Sequence, residues 1–157
     1  MTEKELNVEA CRFRTAIEMA KNAGEFTPKQ FKSERMNNFP KDCCDDTSDL
    51  FAHYLFLNFK ISSRRIIGEY RDDNIGCTCF HSWLVVNELV VDLTGDQFED
   101  DPSVPIKAEP VYVGENDDFH KQFTVVGDEF SIGIESLSSS CFYRMKGLYG
   151  SIEKYIR

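Results

Sequence analysis

Apolar positions along the chain change period twice, and those changes set the elements it predicts. From Glu5 to Ala23, Val8, Cys11, Ala16, Ile17 and Ala20 recur near helical spacing, and Gly24 is a natural stop. Phe26 to Phe39 is polar and irregular, with room for a short helix after Pro28. Pro40 marks a turn, after which a second helix is expected to begin near Asp42 or Cys43 and run to about Asn58. Asp42 is the expected cap, with Asp45 and Asp46 in the first turn at the positive end of the helix dipole. Leu50, Phe51, Tyr54, Leu55 and Leu57 form an apolar side broad enough to pack on a sheet.

Strand signals follow. Arg64 to Tyr70, Phe80 to Asn87 and Leu89 to Leu93 are short, rich in β-branched or aromatic residues, and bounded by polar ones. Asn87-Glu88 between two apolar runs predicts a tight hairpin turn without the usual glycine, which pairs Val86 with Leu89. Pro110 to Gly114 and Gln122 to Val126 are further strand candidates, and Glu99 to Pro105 is an acidic loop. From about Ser140, the residues Phe142, Met145, Leu148, Tyr149, Ile152 and Ile156 return to helical spacing. The order of helix, helix, strands and helix predicts an α+β fold.

Length and composition narrow this further. At 157 residues, 41% hydrophobic and with thirteen Phe, the chain is read as a single domain, 1–157, with a dense core. A formal charge of -9 excludes a nucleic-acid backbone or an anionic membrane as the expected partner. Met1 to Glu5 is polar and no apolar run reaches membrane-spanning length, so the expected location is the cytoplasm. There, six cysteines are free or catalytic thiols more often than disulfides. No phosphate-binding glycine loop or calcium loop is present, and no cofactor is expected.

The chemistry-bearing residues are Cys43-Cys44, His81 and Asp92. A thiol needs a base to become thiolate, and the imidazole needs an acceptor to fix its tautomer. On a helical wheel Cys43 falls near the centre of the apolar side and Cys44 at its flank, where a thiol can face a cleft while its helix stays packed. Amide groups at a helix start favour thiolate, whereas Asp45 and Asp46 oppose it. Strand alternation puts His81, read as opening its strand, on one face with Trp83. Asp92, in the partner strand among Val90, Val91 and Leu93, faces Leu84 or Trp83, one or two positions from His81. A carboxylate in that apolar setting is costly unless it is paired. A rival zinc reading joins Cys77, Cys79 and His81 with Cys43 or Cys44, but neither Cys-x-Cys nor Cys-Cys has the spacing of structural zinc pairs, so no metal is assigned. His53 and His120 read as structural or surface residues.

Phe39-Pro40-Lys41-Asp42-Cys43-Cys44-Asp45-Asp46-Thr47-Ser48, then His81-Ser82-Trp83-Leu84 and Val91-Asp92-Leu93-Thr94-Gly95-Asp96-Gln97-Phe98, resembles bacterial proteins of the papain-like and transglutaminase-like cysteine hydrolase superfamily. The resemblance covers about Phe39 to Phe98. It implies a nucleophile helix packed on a small antiparallel sheet. It implies Cys44 as nucleophile, His81 as general base and later acid, and Asp92 as the orienting carboxylate. Trp83, Asp96, Gln97 and Cys43 are the expected substrate contacts, and the substrate is an amide bond in a protein or peptide. The chain departs from the pattern in having Cys43 where a small residue often precedes the nucleophile, which leaves the choice of thiol open. It also lacks an obvious glutamine before Cys44; Gln30 and Asn38 are distant candidates. The alternative is a catalytically inactive domain that uses the cleft around Trp83 to bind a protein.

Overall fold

The computed structural model describes residues 1–27, 33–74 and 76–157. The short helix suggested after Pro28, and Gln30 with it, lie outside them. The described chain is α+β. Helix α1 spans Glu3–Asn22 and α2 Cys44–Phe59; then come β1 (Ser63–Asp72), β2 (Cys77–Val86), β3 (Leu89–Asp92), β4 (Tyr112–Gly114), the one-turn α3 (Asp118–Lys121), β5 (Thr124–Ser131) and α4 (Ser139–Glu153). The five strands form one antiparallel sheet in the order β4-β3-β2-β1-β5. No helix among the described residues is long and apolar enough to cross a membrane.

The hairpin between β2 and β3 forms as its pattern predicts. Asn87 and Glu88 take positive φ values of 48° and 66°, the primed turn that matches strand twist, and Val86 pairs with Leu89. Continuing that register by one sets Asp92 across from Trp83. His81 is then its diagonal neighbour on the same face, within reach of a ring and a carboxylate without any bulge.

Alternation splits the sheet into two unlike faces. Leu84, Val86 and Val91 point into a core with α1, α2 and α4, built on Phe13, Ile17, Leu50, Phe51, Leu55, Met145 and Ile152. Ile66, Trp83 and Val90 point the other way, under Phe98, Val104, Phe119 and Phe123 from the segment between β3 and β5. Gly68, paired with His81, makes that second layer possible. A Cβ there would lie 2.6 Å from the Phe123 Cβ and 2.8 Å from the Trp83 ring. Gly68→Ala is therefore expected to lower stability by about 1–3 kcal/mol through overpacking, measured by chemical denaturation.

Several local expectations are corrected. Helix α2 is capped by Cys43, because Asp42 sits in the turn before it at a φ of 59°. Val8, Cys11 and Leu57 face outward; the buried stripe of α1 runs instead through Leu6, Ala10, Phe13, Ile17 and Ala20. His81 lies inside β2, which begins at Cys77, so it does not open the strand. The strand expected over 122–126 starts two residues later and runs to Ser131, because Gln122 ends α3.

Candidate functional site

The first turns of α2 are fastened to β2 at the residue after His81. The Ser82 hydroxyl donates to Asp45, and Ser48 Oγ donates to the Ser82 carbonyl at 3.3 Å. Behind them Asp46 is buried, yet Arg35 and Arg144 both donate to its two oxygens. Burial alone would raise the Asp46 pKa; these guanidinium groups hold it below the ordinary carboxylate value. Arg144 also grips Glu34, so α4 is tied to the start of α2. These bonds fix where the Cys43-Cys44 pair stands.

The two thiols then part company. Cys43 is fully buried, with its Sγ 3.4 Å from the Pro40 carbonyl and 3.9 Å from the Thr47 hydroxyl. Burial pushes its pKa up to about 12. A thiol in that setting neither ionises nor meets a substrate, which corrects its place among the expected contacts. Cys44, one residue on, is half-buried and stands close enough to the His81 ring to help raise its pKa.

His81 is fully buried, and its Nε2 lies 2.6 Å from Asp92 Oδ2. Burial opposes charge on the ring. The charge and hydrogen bond of Asp92, then the nearby Cys44, outweigh it and raise the imidazole pKa. Asp92 is 2% exposed. Burial would raise its pKa too, but His81 and His120 hold it well below the carboxylate range. Its Oδ1 accepts the Thr94 amide at 2.8 Å and the Thr94 hydroxyl at 3.3 Å. Around the pair, Trp83, Phe98, Phe119 and Phe123 place their rings 5.3–5.7 Å from the His81 ring. This apolar wall strengthens each charge–charge contact inside it.

Strand β3 ends at Asp92, which leaves the flank of His81 beyond it to Gln97. The Gln97 amide nitrogen lies 2.7 Å from His81 Nδ1. Gln97 thus belongs to the cluster, as a partner of the ring. Trp83 is 4% exposed and packs against His81, so it is wall and not an open contact surface. Asp96 is taken by Arg14, whose Nη1 and Nη2 reach its two oxygens at 2.9 and 2.8 Å, and it anchors a loop instead of meeting substrate. Asn38 is exposed in a short 3-10 turn.

Sequence reasoning missed His120. It is buried, with Nε2 3.2 Å from Asp92 Oδ2 and Nδ1 2.5 Å from Asp117 Oδ1. A signal was present: Asp117 caps α3, His120 stands three residues on, and Phe119 and Phe123 repeat at helical spacing. Among the described residues, His81, Asp92 and His120 gather as metal-type ligands, and the Cys77, Cys79 and His81 set does not. Two ligands of a tetrahedral zinc, each about 2.0–2.1 Å from the ion, sit about 3.3 Å apart. At 2.6 Å, the His81–Asp92 contact fits a shared proton. A hollow of about 560 Å³ lies away from this cluster, lined by Met1, Val8, Phe59 and Ile61 among others.

The arrangement is a half-buried thiol at a helix start, an imidazole beside it, and an ionised carboxylate behind the imidazole. Chemically, the His81–Asp92 pair can hold and release a proton at Nε2, and Gln97 stands on the other ring nitrogen. Comparison with protein families, with characterised proteins and with solved structures gives no match for this chain.

Proposed function

We propose that this chain is a thiol hydrolase or acyltransferase acting on amide bonds of a protein or peptide, built on a papain-like or transglutaminase-like α+β domain. The observation that carries the reading is the buried His81–Asp92 pair with the half-buried Cys44 close to the same ring. With Nε2–H donated to Asp92, the lone pair of a neutral ring sits on Nδ1, the nitrogen that must take the thiol proton. Gln97 shares that nitrogen, so its amide turns aside as the proton moves, and a turned amide is a donor beside the reacting carbon.

In this scheme the Cys44 proton passes to His81 Nδ1 and the sulfur attacks the carbonyl carbon. The tetrahedral oxyanion rests on the Cys44 amide and Gln97. The C–N bond breaks, the departing nitrogen takes the proton from His81, and a thioester remains. Water or an amine then attacks it; His81 accepts that nucleophile's proton and returns one to the sulfur. Hydrolysis, glutamine deamidation and transamidation share these steps. Trp83 is buried in the wall, so the binding-module alternative would need a surface other than the Trp83 cleft.

The test uses the chain's own thiols as references. Cys11 and Cys141 are exposed, whereas Cys44 is half-buried. An ordinary thiol is a few per cent ionised at pH 7, so a thiol held as thiolate gains at most about 30-fold, reduced by its lower intrinsic nucleophilicity. With dilute iodoacetamide and peptide mass spectrometry, Cys44 is expected to label about tenfold faster than Cys11 and Cys141. Cys43 stays unlabelled, and His81→Asn removes the advantage. Labelling of Cys44 no faster than the exposed thiols, and indifferent to His81→Asn, overturns the proposal.

A further inference from the structure

His120 has no place in the thiol chemistry above, yet it shares the oxygen that matters most to it. We infer that His120, braced by Asp117, is a positioning residue: it fixes Asp92, and through Asp92 the orientation of His81. The geometry does not depend on the thiol reading, although its consequence for reactivity rests on that reading.

Asp92 Oδ2 receives both imidazoles, His81 Nε2 at 2.6 Å and His120 Nε2 at 3.2 Å. Because Oδ1 is held by Thr94, each carboxylate oxygen has two partners and the group cannot rotate without losing some of them. An ionised carboxylate only accepts, so His120 must present an N–H there. The ring is aimed from its far side by Asp117 Oδ1, which lies 2.5 Å from Nδ1 and accepts from the His120 amide at 3.0 Å. Trp83 and Tyr112, with ring centroids 5.0 and 5.5 Å away, hold it laterally.

The backbone beside Asp92 also keeps this room open. A Cβ on Gly95 would come 2.9 Å from Asp92 Oδ2 and 2.6 Å from the Ala108 Cβ. Thus the loop after β3 leaves space for the carboxylate, and His120 uses that space to hold it. Without the second donor, Oδ2 keeps an unmet acceptor site in an apolar box and the carboxylate is free to turn away from His81.

Three variants test this. His120→Phe keeps a ring and removes the donor. His120→Gln puts an amide N–H near the position of Nε2. Asp117→Asn loosens the brace from a partly exposed site. The first readout is the proton NMR resonance of His81 Nε2–H, expected far downfield because its bond to Asp92 is short and buried. It should shift upfield or broaden in His120→Phe, return in His120→Gln and change partially in Asp117→Asn. The second readout is the iodoacetamide rate at Cys44. His120→Phe should lower it by about threefold to tenfold, up to the full effect of His81→Asn, with recovery in His120→Gln. If His81→Asn itself leaves that rate unchanged, the thiol proposal fails while the resonance still reports on His120. A resonance unmoved by folded His120→Phe overturns the positioning role. Should that variant not fold, Asp117→Asn decides: a His81 Nε2–H resonance and a Cys44 labelling rate that both stay at the wild-type values there overturn the positioning role. Stoichiometric zinc uptake that requires His120 also overturns it, since Nε2 would then be a ligand and not a donor.

Discussion

Asp92→Asn is expected to lower turnover of a scissile amide substrate by about 10⁴-fold, the scale seen when a buried triad carboxylate becomes an amide. The direction follows from which way the new amide must point. Thr94 presents its backbone N–H to Oδ1, and that donor needs an oxygen opposite it. The Asn oxygen therefore occupies the Oδ1 position and its NH₂ occupies Oδ2, where it faces His81 Nε2 and displaces the His120 N–H that met an oxygen there. The ring must then accept at Nε2 and carry its proton on Nδ1, the nitrogen beside Gln97 that the proposed mechanism needs as the base. A ring with that tautomer cannot take the thiol proton. Iodoacetamide labelling of Cys44 should fall by only about tenfold in the same variant, because labelling requires thiolate alone and not the later proton transfers. A variant that stays folded and loses less than about tenfold in turnover would show that Asp92 does not set the tautomer.

How much of this was legible depends on how local each signal is. The α+β class, the β2–β3 hairpin and the different settings of Cys43 and Cys44 come from short-range pattern, with each residue's face set by its own neighbours. Asn87-Glu88 formed the turn without glycine because the paired apolar runs on either side leave only one good register. His120 was not legible as a partner of Asp92, since a chain segment 28 residues long must fold back across the sheet before the two meet. Asp96 was misread for the same reason. Beside Gln97 it looks like part of the site, and only a residue 82 positions away shows that it is spoken for. Val8 and Cys11 point outward because the buried face of α1 is centred on Leu6, Phe13 and Ile17, and Leu57 because α2, buried on all sides from Asp46 to Leu55, emerges in its last turn.

That distant residue gives the second large expectation. Arg14→Met is expected to destabilise the fold by about 3–5 kcal/mol, the scale for removing one partner of a buried ion pair. From α1, Arg14 donates to the Leu93 carbonyl at 2.8 Å, the Pro110 carbonyl at 2.7 Å, both oxygens of Asp96, and Glu18 at 2.9 Å. One side chain thus closes both ends of the segment that leaves Asp92, carries Gln97 and returns to β4. Met fills much of the space but donates nothing, so two carbonyls and two carboxylates lose their partner together. For a domain of this size the melting temperature should fall by roughly 10 °C. Adding Asp96→Leu should restore part of the loss, because an apolar pair leaves no lone charge in the loop. Cys44 labelling by iodoacetamide separates the loop's two duties in the same samples. If Arg14 only staples the fold, the labelling rate below the transition stays at the wild-type value. If it also holds Gln97 against His81, that rate changes while Arg14→Met is still fully folded.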